Sequence, residues 1–335
     1  MPETNRVWRL RKRPVGMIGD DVLSLAQESI PQPGAGEILV RLNYLSLDPT
    51  NRVWMSDLDQ YLPPVALGDP MRGVICATVV QSRAAGLVPG DVVSGLGTWA
   101  DYQLGTPAAL HKLHPVEGVS AAEAFGLFAV VGPTAYFGLL EVGRPKAGET
   151  VVVSAAAGAV GSLVGQIARI KGCHTVGLAG SDAKCQWLTE ELGFDAAINY
   201  KCEDLSAALK RACPQGIDVY FDNVGGAILE ACLMHMNLYG RIPTCGLISQ
   251  YNATSAPTGP HGYGIILMKR LTVQGFLVLD YAPRFREAIG ALAEWMHQGQ
   301  LQFQLDLQEG LENAVTALRR LFTGDHRGKL MIHVA

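Results

Sequence analysis

Val151-Val152-Val153 runs directly into Ser154-Ala155-Ala156-Ala157-Gly158-Ala159-Val160-Gly161, and an apolar-periodic stretch continues from there to Gly172. An apolar triplet, a turn stripped of side chains and an amphipathic stretch read as strand, tight turn and helix. Ala156-x-Gly158-x-x-Gly161 follows the strand and opens the helix, which is where a dinucleotide-binding turn has to sit. Gly158 would let the backbone approach a pyrophosphate, and Gly161 would let the helix pack against the strand. The N–H groups of the helix start, over 157–161, would face the phosphate charge. The first glycine of the usual string is Ala156 here, and the spacing alone also suits a plain helix-packing device. The strand–turn–helix context, and the further strands after it, favour the dinucleotide reading.

From about residue 145 apolar runs recur at Thr150–Ser154, His174–Leu178, Ala196–Asn199, Asp218–Phe221, Arg241–Gly246 and Leu271–Phe276. Helical patterns lie between the earlier ones, at Asp182–Leu192 and Leu205–Ala212, and a further helix is expected over Arg284–Gln298. Strand alternating with helix predicts a parallel sheet with crossover helices. Before residue 120 the texture differs. Short strand-like runs, Glu37–Leu42, Gly73–Val80 and Asp91–Ser94, are separated by turns such as Gln32-Pro33-Gly34 and Val88-Pro89-Gly90-Asp91, which predicts an irregular β unit. The tail predicts a helix over Gly310–Phe322 and a strand over Lys329–Val334. A chain of 335 residues has room for two such domains.

The formal net charge is −4 and no basic run exists, so nucleic acid is not an expected partner. No 18 apolar residues run uninterrupted; the richest stretch, Ala121–Leu140, is broken by Pro133, so no membrane span is expected. Met1–Arg13 lacks the apolar core of a signal peptide. Seven cysteines (Cys76, Cys173, Cys185, Cys202, Cys213, Cys232 and Cys245) are scattered, with no C-x-x-C pair. That argues against a disulfide framework and a structural zinc lobe, and for a reducing, cytoplasmic setting.

The end of the second strand bears on the cofactor. NAD-binding domains tend to place Asp or Glu there to hold the ribose 2′-hydroxyl. This chain has Ala179-Gly180-Ser181, and Lys184 follows in the first turn of the next helix. A cation is disfavoured at a helix N-terminus unless an anion joins it, and a 2′-phosphate would be that anion. The other reading of Lys184 is a solvated surface lysine. Asp182 is positioned to cap the helix rather than to meet a ribose.

Taken together, Tyr44-Leu-Ser-Leu-Asp-Pro49, Pro133-Thr-Ala-Tyr136, Ala155–Gly161, Leu192-Gly-Phe-Asp195 with Asn199-Tyr200-Lys201, Phe221-Asp-Asn-Val-Gly-Gly226, Cys245-Gly-Leu-Ile-Ser249 with Tyr251-Asn252, and Gly324-Asp-His-Arg-Gly-Lys329 mark a family. The chain resembles the zinc-independent medium-chain dehydrogenases/reductases: prostaglandin reductases, leukotriene B4 12-hydroxydehydrogenases, alkenal double-bond reductases and bacterial curcumin reductase. The resemblance implies an α/β fold, a Rossmann doubly wound parallel sheet over 126–299 plus a GroES-like β-rich catalytic domain over 1–125 that is completed by 300–335. It implies NADPH, with Lys184 and Tyr200 beside Gly180-Ser181 at the 2′-phosphate. Asn223, Cys245, Gly246, Leu247 and Ser249 would line the nicotinamide side. Phe276, Leu277 and Val278 would touch the carboxamide, and His326 stands where the family's tail has an Asn contact. The resemblance also implies a homodimer.

Catalytic-zinc relatives carry a Cys near 45–50 and a Gly-His-Glu near 70; here Leu45-Ser46-Leu47 and Gly68-Asp69-Pro70-Met71 stand there, so no metal ligand set is expected. The chemistry implied is hydride transfer to the β-carbon of an enone or enal, with a donor at the carbonyl oxygen and a proton for the α-carbon. Tyr251 and Tyr61 match tyrosines lining that site; each could instead be a packing or loop-anchoring residue. The family's Asp-Pro-Tyr is Asp48-Pro49-Thr50 here, and another pocket tyrosine aligns with Met268. A quinone reductase and a non-catalytic NADPH-binding protein are the alternatives, and an alcohol dehydrogenase is disfavoured by the missing zinc ligands.

Overall fold

The fold is that of a computed structural model, which describes residues 4–113, 116–257 and 259–334; Met1–Glu3, at the head of the stretch read as lacking a leader, lie outside it. The chain divides into two compact units, Met1–Ala129 with Leu305–Ala335, and Val130–Gln304.

The first segment contains β1 (Asn5–Leu10), β2 (Leu23–Glu28), β3 (Ile38–Ser46), helix α1 (Thr50–Trp54), β4 (Arg72–Ser82), β5 (Val92–Thr98), β6 (Tyr102–Gly105), β7 (Leu110–Lys112) and helix α2 (Ala121–Phe128). The second unit follows: α3 (Val131–Phe137), β8 (Thr150–Val153), α4 (Ala159–Ile170), β9 (His174–Ala179), α5 (Asp182–Glu190), β10 (Ala196–Asn199), α6 (Leu205–Ala212), β11 (Ile217–Phe221), α7 (Gly226–His235), β12 (Met236–Thr244), α8 (Tyr263–Lys269), β13 (Thr272–Gly275) and α9 (Phe285–His297). The tail returns with β14 (Leu305–Glu309), α10 (Ala314–Thr323) and β15 (Lys329–His333).

In the first unit the sheet order is β14-β15-β3-β4-β5-β7, and β6 also pairs with β3. The tail enters because β15 runs antiparallel to β3, with Met331 opposite Ser46 and His333 opposite Tyr44. Lys329 is fully buried, and its Nζ donates to the Leu47 carbonyl at 2.9 Å and to Asp48 Oδ1 at 2.6 Å. A buried ammonium is costly unless paired and hydrogen-bonded, so each partner requires the other. Leu-Ser-Leu-Asp-Pro and the distant Gly-Lys are thus two halves of one contact.

The second unit is a six-stranded sheet in the order β10-β9-β8-β11-β12-β13, all neighbours parallel. Counted along the unit this is 3-2-1-4-5-6, the Rossmann order, with its switch point between β8 and β11. The strands are apolar throughout because helices cover both faces; Val152, Val176, Leu178, Ile198, Tyr220 and Ile242 are buried in the core.

The sequence misses some boundaries. β12 begins at Met236 and ends at Thr244, not at Arg241 and Gly246. Tyr239 has φ +61°, and pairing passes around this irregularity from Ile217↔Met236 to Val219↔Arg241. A short 3₁₀ segment, Val278–Arg284, precedes α9. The run Ala121–Gly143 is helical over 23 residues with a mean hydropathy of 1.5, long and apolar enough to cross a membrane by length and composition. The run is broken by a turn at 129–130, and Pro133 lies in the first turn of the new helix α3, where its missing N–H costs nothing. The run is 72% buried inside the protein, as a core helix is.

Candidate active site

Three turns stand at the carboxyl ends of β8, β9 and β11, the side on which an open parallel sheet takes its ligand. In the β8–α4 turn, Ala155 adopts φ +49°, a left-handed conformation that is strained for a residue with a Cβ. A Cβ on Gly161 would lie 2.3 Å from the Ala155 carbonyl oxygen, so close packing of helix on turn demands glycine there. Gly158 is the N-terminal cap residue of α4, and no side chain caps the helix. The intrahelical ladder begins at Ser162 N–H to Gly158 O, 3.0 Å, which places the N–H groups of Ala159, Val160 and Gly161 ahead of it. Gly158, Ala159 and Val160 are half-buried, whereas Ala157 is buried and can offer a ligand only its backbone.

At the switch point β8 and β11 are tied by side chains. Asn223 N–H donates to Ser154 Oγ at 2.9 Å, and Asn223 Nδ2 donates to the Ser154 carbonyl at 2.8 Å. Asp222 is buried, and its Oδ1 accepts from Tyr220 OH at 2.8 Å, Gly225 N at 2.8 Å, Val224 N at 3.0 Å and Ser154 Oγ at 3.3 Å. Its Oδ2 has no partner among the described residues, and burial pushes the carboxyl above its ordinary range against those four donors. Gly225 takes φ +69°, which allows the turn into α7.

The segment after β12 lies along this turn. Cys245 N–H and Gly246 N–H donate to the Asp222 carbonyl at 2.8 and 3.2 Å, and Ser249 Oγ donates to the Val224 carbonyl at 2.6 Å. Burial pushes the Cys245 thiol up to about 12, so it is no nucleophile at neutral pH. Leu247 N–H donates to the Tyr251 phenol oxygen at 3.1 Å, and a Cβ on Gly246 would come within 3.4 Å of that same oxygen. The structure therefore folds Tyr251 back over Gly246-Leu247, in the same cluster as Asn223, Cys245 and Ser249.

At the end of β9, a Cβ on Gly180 would lie 3.0 Å from Tyr200 OH and 3.1 Å from Lys201 Cε. The cap of α5 is Ser181, whose Oγ accepts from Lys184 N at 3.4 Å. This corrects the expectation for Asp182: it is the first helical residue, and its Oδ1 accepts from Asn199 Nδ2 at 2.7 Å. Tyr200 and Lys201 thus stand over an uncharged strand end, and the Lys184 backbone is tied to its cap residue.

The remaining candidates are placed differently. The Phe276 ring turns onto Phe221, with centroids 6.2 Å apart, and sits against Gly138, so only the backbone of Phe276 faces elsewhere. Leu277 is exposed and Val278 opens the 3₁₀ segment. Tyr61 and His326 belong to the first unit. Tyr61 is 41% exposed, and its hydroxyl lies 2.6 Å from Thr50 Oγ1. Burial raises its pKa, partly opposed by Thr50 and by the Trp54 indole N–H. His326 Nδ1 lies 3.2 Å from the Arg320 carbonyl, in the loop between α10 and β15. Ser154, Asp222, Asn199, Lys201 and Thr50 were not among the sequence candidates, although Asp222, Asn199 and Lys201 stand inside the family motifs and Thr50 is a departure from one.

Residues 6–113 match the family described as N-terminal domain of oxidoreductase, and residues 159–294 the family described as zinc-binding dehydrogenase. The NADPH-dependent curcumin reductase of Escherichia coli (strain K12) is 41% identical over 340 residues, covering 99% of this chain and 98% of its own. The 2-alkenal reductase (NADP(+)-dependent) of Nicotiana tabacum is 43% identical over 305 residues, covering 90% and 88%. The crystal structure of CurA in complex with NADPH from Vibrio vulnificus aligns with a TM-score of 0.94 at 40% identity, covering 98% of this chain and 99% of that one. The chain is a medium-chain dehydrogenase/reductase. Within that superfamily it falls in the zinc-independent branch of the curcumin, alkenal and prostaglandin reductases. In the stretch 45–50, Ser46 donates to Asp48 Oδ2 at 2.5 Å. Among the described residues no three His, Cys, Asp or Glu side chains gather where they could hold a metal ion.

Proposed function

We propose that this chain is an NADPH-dependent reductase of the activated C=C bond in α,β-unsaturated carbonyl compounds, enones and enals. The observation that carries the reading is what stands at the carboxyl ends of one parallel sheet: an uncapped glycine turn after β8, an uncharged strand end under Tyr200 and Lys201 after β9, and a backbone-anchored tyrosine after β12. Relatives named curcumin reductase and 2-alkenal reductase, alike over nearly the whole chain, support it.

The residues present fit the cofactor. The N–H groups of residues 159–161 suit a pyrophosphate, because they combine a helix N-terminus with an approach unobstructed by side chains. Gly180, Ser181, Lys184 and Tyr200 suit the adenosine 2′-phosphate; the helix dipole and the lysine charge favour a dianion there. Asn223, Cys245, Gly246, Leu247 and Ser249 would hold the nicotinamide side, with the backbone of Phe276–Val278. When bound, NADPH supplies the hydride that the β-carbon receives. Tyr251 then acts at the carbonyl oxygen, where negative charge develops. The Leu247 N–H donates to its phenol oxygen and fixes that oxygen, from which the hydroxyl would donate to the substrate. The α-carbon then takes up a proton, from Tyr251, Tyr61 or water, and the enolate returns to the carbonyl. Burial keeps the Tyr61 phenol protonated far above neutral pH, and Thr50 fixes its direction.

The test is the rate of NADPH oxidation across a panel of enals, enones and quinones. Turnover of enals and enones with reduced C=C products is expected. Turnover of quinones alone would replace this reading with a quinone reductase, and no turnover with tight NADPH binding would leave a cofactor-binding protein.

A further inference from the structure

Asp182 is the acid nearest the position where an NAD-binding domain presents a ribose ligand, one residue beyond the Gly180-Ser181 strand end. It is held by Asn199, the last residue of the neighbouring strand β10, which stands opposite Ala179 in register. Asn199 is only 6% exposed, and all its polar groups are engaged. Nδ2 donates to Asp182 Oδ1 at 2.7 Å and to Cys202 Sγ at 3.4 Å. Oδ1 accepts from Lys201 N at 3.2 Å, the backbone N–H donates to Glu203 Oε1 at 3.3 Å, and the carbonyl accepts from Cys202 N and Glu203 N, both at 3.1 Å.

One buried amide therefore does two things. It pins the carboxylate against β10, and it shapes the turn whose next residues, Tyr200 and Lys201, close over Gly180. A carboxylate swung to the strand end would accept from a ribose 2′-hydroxyl and repel a 2′-phosphate. A neutral amide is suited to restraining it, since it adds no charge of its own beside the phosphate. We infer that Asn199 is a specificity-determining residue that favours NADPH over NADH by holding Asp182 out of the 2′ position. The inference rests on the NADPH reading above.

The experiment is calorimetric titration of the full chain with 2′,5′-ADP, 5′-AMP, NADPH and NADH. Asn199→Ala should reduce the preference for the 2′-phosphorylated ligands roughly 10-fold, the order of one hydrogen bond to a charged group. Adding Asp182→Asn should restore the preference, because the released acid is then gone. Asn199→Asp keeps the shape but sets two carboxylates face to face, and should lose at least as much preference. It provides the measurement if the alanine variant does not fold. If the wild-type preference survives in both Asn199 variants, the inference is overturned alone. If Asn199→Ala/Asp182→Asn stays as unselective as Asn199→Ala, the role of Asn199 is to build the turn, and the inference again fails. A wild-type chain that binds NADPH and NADH equally overturns both this inference and the cofactor reading.

Discussion

Tyr251→Phe removes one oxygen, and the structure shows what that oxygen touches. The Leu247 N–H loses its acceptor at 3.1 Å. Leu247 is half-buried, so water can partly replace the phenol, and the stability cost should stay near the lower end of a net hydrogen bond, about 0.5–1 kcal/mol. The catalytic cost is set differently. Loss of a lone oxyanion donor costs about 10²–10³ in kcat. Where a cofactor ribose hydroxyl shares the load, about 1.4 kcal/mol is expected instead, roughly 10-fold. The variant also releases the Gly246-Leu247 segment at the cofactor side, so NADPH affinity should weaken by about 2- to 5-fold, the worth of about 0.4–1 kcal/mol. The assays are kcat with a saturating enone, NADPH binding by fluorescence titration, and thermal unfolding. An unchanged kcat would show that Tyr251 only staples its turn. A collapse of NADPH affinity with an unchanged kcat at saturation would put the residue in the cofactor site instead.

Lys184→Ala should narrow the preference for NADPH over NADH by about 10- to 100-fold, the value of a charge-assisted contact, and equal Michaelis constants for both cofactors in the unmutated protein would refute the assignment. Gly161→Ala sets a Cβ 2.3 Å from the Ala155 carbonyl, and the overpacking cost of about 1–3 kcal/mol should outweigh a helix-propensity gain of about 1 kcal/mol. Its melting temperature and NADPH affinity should both fall; an unchanged melting temperature would contradict the close approach. Burial is the main cause of the raised Asp222 pKa, so the folded chain keeps a proton that the unfolded chain has released above about 3.8. Native stability must then fall as pH rises from there through the raised folded value, and Asp222→Asn should flatten that slope in denaturant titrations at about pH 4 to 7; parallel curves would exclude a raised pKa. β13 is the sheet edge, all four of its residues are exposed, and Tyr263 and Leu267 beside it are 71% and 73% exposed. We expect a two-fold dimer through that edge, broken by Val273→Lys; light scattering at the 35.8 kDa of one chain would contradict it.

The parallel sheet was legible because its strands are nearly all-apolar and its turns lack side chains. Ala196–Asn199 and Leu205–Ala212 fall where the sequence puts them. β12 was misread because Tyr239 carries a positive φ that a single sequence does not advertise. β1 and β2 escaped because Arg6, Arg9, Ser24 and Gln27 interrupt their apolar pattern, and the pair is registered only by its partner strand. At the site, the glycines announced themselves by what they lack. Asn199 did not, since a polar residue ending a strand looks like ordinary turn chemistry until its amide is seen on Asp182. Asp182 was misassigned for a related reason: Ser181 and Asp182 are both good caps, and only the backbone decides which one fills the position.

The side chains at the switch point share a property that bears on the chemistry. Ser154 Oγ, Asn223 Nδ2 and Ser249 Oγ each bond a neighbouring backbone group, and the engaged oxygen of Asp222 is saturated by four donors. Burial holds the Cys245 thiol protonated. These groups are consumed in fixing the backbone, and a fixed backbone is what a cofactor needs for orientation within a fraction of an ångström. The substrate donor we propose is the Tyr251 phenol, itself anchored on a backbone N–H. One neutral donor is poorly matched to reactions that need a strong base or a nucleophile. It is well matched to a hydride transfer whose demand is stabilisation of charge on one carbonyl oxygen, and reduction of an enone makes that demand.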